Sequence, residues 1–488
     1  MPAPAPVADV IVVGGGSAGC VVAARLSENP DRTVVLVEAG PPAPAPGPVG
    51  TLPVGPASEL TWTYPAELEP GIPTTLARGR VLGGSGAVNG GYFVRGTAAD
   101  FSRWPAGWSY QAVLPYFRRL ETDPVGERRW HGDDGPMPVT RTPAEDLHPV
   151  SRAFVAACAS AGFGYRADLN EPDAVGVGPV PRNAASGLRV STAEAYLGAG
   201  PARPNLRVHT GTTARRLLFA GPRVVGVEVE EQGRRRALHA DRVVVCCGAV
   251  ATPHLLMHSG IGPAQELSAL GLDVLVDSRG VGRGFTDHPE VTLGYRRRPL
   301  PHRSTTPLLE TVLEADLDTG PVELRPYTAT FGEAIPGVVD PLGRLGVALM
   351  RPDSRGEVVL RSADPAAAPL VRYRYLRTAA DRAGMRAGLD LAERLLRSDA
   401  FDGLLEPPES GAAAAAMRAG VGTSMHLSGS CRMGSGAHPG DVVDERCRVL
   451  GVQGLWLADT SVMPELTSRG PHATAVMIAE RVAGFLEM

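Results

Sequence analysis

The segment GGGSAG, residues 14–19, constrains the fold of this chain more than any other. Ahead of it, Val10, Ile11, Val12 and Val13 form a continuous apolar run, the pattern of a parallel strand buried on both faces. Behind it, CVVAARLS is compatible with a helix, and a second apolar run, TVVLVEAG, carries Glu38 near its end. Together they make a βαβ unit. Gly14, Gly16 and Gly19 have the G-x-G-x-x-G spacing, with an acid about 20 positions further on. Gly14 permits the tight turn, Gly16 lets a pyrophosphate approach the backbone, and Gly19 allows the helix to pack closely on the strand. The helix that opens around Ser17 offers free N–H groups and a positive dipole end to an anion. Glu38 is placed to accept hydrogen bonds from ribose hydroxyls, and its charge would repel a 2′-phosphate, which argues against NADP. A dinucleotide is expected. The motif alone does not separate FAD from NAD.

A second glycine-rich stretch, RGRVLGGSGAVNGGYF at 78–93, makes a poor helix and a poor strand unless something must lie close to its backbone. Composition mainly excludes. The 488 residues suffice for two or three structural units with a large core. A net charge of -4 gives no electrostatic reason to expect nucleic acid. All 48 basic residues are arginine, read here as a bias of the source genome. No apolar run reaches the roughly 20 residues of a membrane helix. The start, MPAPAPVADV, lacks the basic-then-apolar order of a secretory leader. The six cysteines lack metal-ligand spacing, so no metal is expected, and Cys246 and Cys247 read as small core residues. A cytoplasmic location is the expectation; peripheral contact with a membrane stays open, as does the oligomeric state.

Three further stretches carry a family resemblance. GRVLGGSGAVNGGYFVRGTAADFSRW resembles the first signature of the glucose–methanol–choline (GMC) oxidoreductases, and GAVATPHLLMHSGIG at 248–262 matches their second. The tail, MHLSGSCRMG followed by GVQGLWLADTSVMPELTSRGPHATAVMIAERVAGF, is similar to their C-terminal active-site region. WSYQAVLPYFRRLE, WHGDDGPMPV, RPNLRVHTGTTARRLLF and GFTDH (284–288) fall between them in the family's order, so the resemblance runs from about residue 8 to 485.

This resemblance implies an α/β fold: a discontinuous Rossmann-like FAD-binding domain with an α+β substrate domain built on an antiparallel sheet. The N-terminal FAD-binding region is expected over 7–290, with substrate-domain insertions near 51–75 and 101–184. The substrate-binding domain follows at 291–424, and 425–488 returns to the FAD domain. Within 291–424, GEVVLRS and PLVRYRYL alternate like strands, while TAADRAGMRAGLDLAERLLRS and GAAAAAMRAG read as helices. Tyr327 and Met350 either line the pocket or fill the core, the second being favoured.

The resemblance also supplies site residues. Gly83, Gly84, Ser85 and Gly86 would pass close to the pyrophosphate and ribityl chain, and Asn89 and Gly90 would reach the flavin ring. Arg80, Ala214, Gly248, Ala458, Asp459 and Thr474 complete the expected cofactor contacts, although Asp459 could instead cap a helix. Covalent members carry a histidine just before the signature asparagine; here Val88 stands there, so non-covalent FAD is expected.

Oxidising an alcohol removes a hydroxyl proton and a carbon-bound hydride. The flavin takes the hydride, and histidine, with an ordinary pKa near 6.5, suits the proton. By resemblance, His426 is the general base and His472 its hydrogen-bonding partner, in an order that a coupled pair could reverse. Flavin reduction should then speed up as pH rises through the histidine range. The other histidines (His131, His148, His209, His239, His254, His258, His288, His302 and His438) read as surface or packing residues, with His288 a possible support for the domain junction.

The expected partners are a small-molecule alcohol and an electron acceptor, either a respiratory quinone or O2. Within the family, GGSGAVNGGYF and the short length most resemble the enzymes associated with mycofactocin, a peptide-derived redox cofactor, which would make a mycofactocinol the substrate. The alternatives are choline-dehydrogenase-like oxidation of a small alcohol, an oxygen-using alcohol oxidase, and, from another class, a flavin-containing hydroxynitrile lyase. A light-driven decarboxylase fits the histidine pair poorly, and a nicotinamide-dependent reductase shares only the glycine motif.

Overall fold

The computed structural model describes residues 8–198, 203–300 and 303–487. His302 and the N-terminal segment 1–7 lie outside the described residues.

The apolar runs around the glycine turn form the centre of a seven-stranded sheet. Ala8–Val13 pairs in parallel with Val34–Val37 on one side, Val10 opposite Val34, and with Arg234–Val245 on the other, Val13 opposite Val245. Leu206–His209 extends one edge in parallel, and Leu455–Leu457 pairs in parallel with Val243 to Val245. Thr212–Ala220 and Arg223–Glu231 continue from Arg234–Val245 as an antiparallel meander. Full burial explains why residues 10–13, 34–37 and 243–245 of these strands are uninterrupted valine, isoleucine and leucine.

Helix Ser17–Leu26 covers this sheet and packs on the C-terminal helix His472–Glu487. The two are tied by Glu480, which accepts from Arg25 Nη2 (2.8 Å) and Tyr196 Oη (2.7 Å). The neighbouring Arg481 guanidinium stacks 4.3 Å from the Trp108 ring centroid.

A six-stranded, wholly antiparallel sheet runs in the order Gly422–Thr423, Pro289–Tyr295, Gly343–Leu349, Gly320–Pro326, Thr311–Leu317, Gly176–Pro179. Helix Ala379–Leu396, capped by the Thr378 hydroxyl accepting from Asp381 N (3.0 Å), covers one face. Its Gly388 lets the backbone down onto Val347 and Val322: a Cβ there would sit 2.7 Å from Val347 Cγ1. The opposite face of this sheet carries Glu290, Glu323 and Arg325. A mixed five-stranded sheet joins Gly356–Val359 and Leu370–Arg372 to Thr61–Glu67 and Pro73–Gly79. Strands Gly356–Val359 and Leu370–Arg372, and helices Ala379–Leu396 and Ala412–Ala419, fall within the segments whose alternation and helical spacing suggested them. No described helix is long and apolar enough to cross a membrane.

Candidate active site

The carboxyl ends of the parallel strands meet at one edge, where Val13 leads into Gly14, Val37 into Glu38, Val245 into Cys246 and Leu457 into Ala458. Gly14 has φ +96°, and a Cβ on it would meet the Cys246 carbonyl oxygen at 2.6 Å. At Gly19 a Cβ would lie 1.8 Å from the Gly14 oxygen, so helix and turn are in backbone contact. Glu38 Oε2 accepts from Gly15 N (2.8 Å) and Oε1 from Gly40 N (2.7 Å), which leaves lone pairs on both oxygens. Thr212 N donates to the Glu38 carbonyl (2.9 Å), bringing Ala214 to this edge. The Asp459 carboxylate is committed to protein donors: Gly248 N (2.9 Å), Thr252 Oγ1 (2.6 Å) and Ser461 N (2.7 Å). It caps the short helix Thr460–Val462, so the capping alternative describes its side chain.

The second glycine stretch is clamped on the first. Gly83 N donates to the Gly15 carbonyl (2.7 Å). Gly84 has φ +57°, and a Cβ there would lie 2.6 Å from Gly16 Cα. A Cβ on Gly86 would meet Ser17 Oγ at 2.5 Å and His472 Nε2 at 2.7 Å. A cofactor passing the backbone is the expected cause of this glycine content. The structure shows a different cause for much of it, because the close neighbours are this chain's own loop and imidazole. Gly90 is open, with only Leu52 at 4.0 Å from a built Cβ. Ser85 Oγ accepts from Gly79 N (3.1 Å), and the Arg80 guanidinium stacks on Trp62 (4.6 Å). Arg80 Nε, Thr474 Oγ1 and His472 Nε2 are buried without a hydrogen-bond partner.

The imidazoles of His426 and His472 come from separate segments, and hydrogen bonds fix their tautomers. His288 Nε2 lies 3.1 Å from the Thr467 carbonyl oxygen, which can only accept, so His288 carries its proton on Nε2. Its bare Nδ1 lies 2.9 Å from His426 Nδ1, so His426 must donate from Nδ1, leaving an unprotonated Nε2. That nitrogen faces Gly470, 3.3 Å from a Cβ built there, with the Tyr92 ring against the same glycine. Asn89 settles the second imidazole. Its Oδ1 accepts from Gly91 N (2.9 Å), which turns Nδ2 towards His472 Nδ1 (3.3 Å). His472 therefore accepts at Nδ1 and holds its proton on the unpartnered Nε2. The edge of Phe93 packs on the His472 ring at 5.2 Å between centroids.

Burial keeps all three rings neutral. It lowers His426 well below the ordinary value, helped by His288 and Arg325, and it takes His288 to about 3 and His472 to about 4. Asp287 holds the His426 loop, accepting from His426 N (2.8 Å), His288 N (2.6 Å) and Thr423 Oγ1 (3.1 Å). Met425, beside His426, has φ +61°, a left-handed conformation that a non-glycine residue adopts only when its surroundings impose it. His288, expected to be a surface or packing residue that could support the domain junction, is a hydrogen-bond partner of His426. The one available signal was GFTDH, which points to the segment but not to a partner 138 positions away.

Other clusters have structural explanations. Glu121, Asp123 and His131 could together reach one ion. They are, however, matched by cations: Arg95 pairs with Glu121, Arg141 with Asp123 (2.7 Å) and Asp168 (2.6 Å), and His131 Nε2 with Asp168 (2.7 Å). These carboxylates raise His131 to about 10, making it a cation of the network. His254 and His258 stack edge to face, both pushed down to about 4 by burial.

Comparison with known proteins bears on the family and the fold. Two family models described as GMC oxidoreductase match residues 8–290 and 352–479. An uncharacterised GMC-type oxidoreductase of Rhodococcus erythropolis is 51% identical over 98% of both chains. Mitochondrial choline dehydrogenase of Mus musculus is 34% identical, covering 98% of this chain and 89% of its own. The crystal structure of pyridoxine 4-oxidase from Mesorbium loti superposes with a TM-score of 0.90 at 32% identity, covering 98% of this chain and 99% of the other.

Proposed function

The chain belongs to the GMC oxidoreductase family, and from that premise we propose that it is an FAD-dependent alcohol oxidoreductase with His426 as general base and His472 as hydrogen-bond donor. One observation carries the division of labour: the two imidazoles are held in opposite tautomers, His426 presenting a bare Nε2 and His472 a protonated one.

The residues present fit FAD. Gly14, Gly16 and Gly19 with the start of helix Ser17–Leu26 would hold the pyrophosphate, and Glu38 retains acceptor capacity for ribose hydroxyls. Arg80 Nε and Thr474 Oγ1 are buried polar atoms in want of a partner. Val88 has no nucleophile, which supports non-covalent binding. FAD, when bound, supplies the acceptor for the hydride that leaves the carbinol carbon.

The protein's part is the proton and the oxygen. His426 Nε2 takes the hydroxyl proton; His288, hydrogen-bonded to His426 Nδ1, keeps the accepting lone pair directed outward. The Nε2–H of His472 donates to the same oxygen as negative charge builds on it, with Asn89 holding the ring. Because burial keeps His426 neutral well below pH 6.5, the base is ready across the neutral range.

The test is an anaerobic screen of alcohols, choline, pyridoxine and mycofactocinols included, following bleaching of the flavin absorbance and then reoxidation by O2 or a quinone. An alcohol should bleach the wild type, and His426→Ala should slow bleaching at least about 100-fold while retaining flavin. Unchanged bleaching in His426→Ala would remove the base assignment. A protein that stays colourless after FAD supplementation would remove the whole reading.

A further inference from the structure

Helix Gly248–His258 carries two histidines one turn apart, and their rings meet. The imidazoles of His254 and His258 lie 4.5 Å apart between centroids, with their planes at 72°. Side chains at i and i+4 share one face of a helix, and two histidines in that relation can grip one metal ion. Two imidazoles on a single tetrahedral Zn²⁺, with Zn–N bonds of about 2.0 Å, have centroids about 5 Å apart. The observed separation is close to that value.

Edge-to-face stacking accounts for the contact between the rings but not for their nitrogens. His258 is only 3% exposed, and neither Nδ1 nor Nε2 has a hydrogen-bond partner among the described residues. An interior imidazole with both nitrogens orphaned is uncommon and points to a bound group. His254 is already oriented as a ligand would be. Its Nε2 lies 3.1 Å from the Ala367 carbonyl oxygen, which can only accept, so Nε2 carries the proton and Nδ1 offers a bare lone pair. Metal-binding histidines characteristically give their other N–H to such an acceptor, which fixes tautomer and ring orientation.

The surrounding charges permit a cation. His258 ends the helix, where the dipole is negative. Arg215, which donates to the Pro365 carbonyl (3.3 Å), is paired with Glu230 (3.2 Å). Arg216 and Asp364, both exposed, act on His258 with opposite signs. The contrast with Glu121, Asp123 and His131 is direct: there the ligand atoms are held by cations of the network, whereas His258 is held by nothing polar. The expectation of no metal came from cysteine spacing, which does not bear on a pair of histidines.

We infer that His254 and His258 form a binding site for a divalent transition-metal ion that favours imidazole, such as Zn²⁺, held through His254 Nδ1 and one nitrogen of His258. Such an ion would join the end of this helix to the segment around Ala367.

The test titrates Zn²⁺ into the full-length, flavin-loaded protein after treatment with a chelator, following free metal with a chromophoric indicator and stability by thermal melting. Wild type should bind one Zn²⁺ per chain at this pair and melt at a higher temperature with the ion bound. His254→Gln keeps an amide donor for the Ala367 carbonyl while removing the ligand, and it should weaken binding at least about 10-fold and abolish the stabilisation. His258→Gln should do the same; if it fails to fold, the partly exposed His254 position decides alone. Flavin content and the metal-free melting temperature report folding. A wild type that binds no Zn²⁺ overturns the inference. Binding left unchanged in a folded His254→Gln overturns it as well, because the ion then sits elsewhere.

Discussion

His288 makes no contact with the face of His426 that meets substrate, yet replacing it should slow the chemical step. In His288→Leu the Nδ1–H of His426 loses its acceptor inside the protein. Leaving a buried donor unsatisfied costs about 1–3 kcal/mol, and His426 can escape it by moving its proton to Nε2 or by rotating. Either response withdraws the lone pair that accepts the hydroxyl proton. At about 1.4 kcal/mol per tenfold in rate, flavin reduction should fall by about 10- to 100-fold. This is less than the roughly 10⁴-fold lost when a carboxylate-held imidazole in a serine protease is left in the wrong tautomer, because here the partner is neutral. In His288→Gln the amide oxygen can accept from His426 and the amide nitrogen can donate to Thr467, so less than about a tenfold loss is expected. The assay is stopped-flow anaerobic reduction with saturating alcohol, alongside ¹⁵N shifts of His426, which should report Nδ1 protonation in wild type and a mixture in the leucine variant. Wild-type reduction in a flavin-loaded His288→Leu, or equal losses in both variants, would refute the tautomer argument.

Three further outcomes follow from named contacts. The rate of flavin reduction should be flat from pH 6.5 to 8 and fall only deeper in acid, because the active base is the neutral imidazole and burial lowers its pKa; this corrects the expected rise through the ordinary histidine range and is read from stopped-flow rates against pH. His131, with a folded pKa of about 10 against an ordinary 6.5, contributes stability that is complete below pH 6.5 and lost as pH rises through 10. His131→Leu should therefore destabilise by about 3–5 kcal/mol at pH 6 and flatten the alkaline limb, as measured by urea unfolding at pH 6 and 9. Gly84→Ala meets both a left-handed φ and Gly16 Cα at 2.6 Å, so about 2–5 kcal/mol of destabilisation and poor FAD retention are expected, measured by the ratio of flavin to protein absorbance and by thermal melting.

What the sequence makes legible is what neighbours along the chain determine. The βαβ fingerprint is local: four apolar residues, three spaced glycines and an acid, all within Val10 to Glu38. Helix Ala379–Leu396 is legible for the same reason, through its apolar spacing. The orientation of His426 was not legible, because it depends on Thr467 and His288 meeting across three separate segments. Tyr327, favoured as a core residue, donates to Glu290 on the polar face. On the adjoining strand Glu323 and Arg325 share that face while Val322 and Leu324 are fully buried, a two-residue alternation that marks a sheet with one charged side. The second glycine stretch misled in part, since a glycine reports that something is close but not whether it is ligand or protein.

His472 opens helix His472–Glu487, so the proposed donor to the reacting oxygen sits on a segment far along the chain from every glycine of the cradle. A product clipped or terminated ahead of it would still contain every glycine of the cradle and the strands Ala8–Val13, Val34–Val37, Arg234–Val245 and Leu455–Leu457. Such a fragment would lack one of the two rings to which the proposed mechanism assigns the alcohol's proton and oxygen. On the proposed mechanism, oxidation therefore needs the glycine cradle and helix His472–Glu487 together.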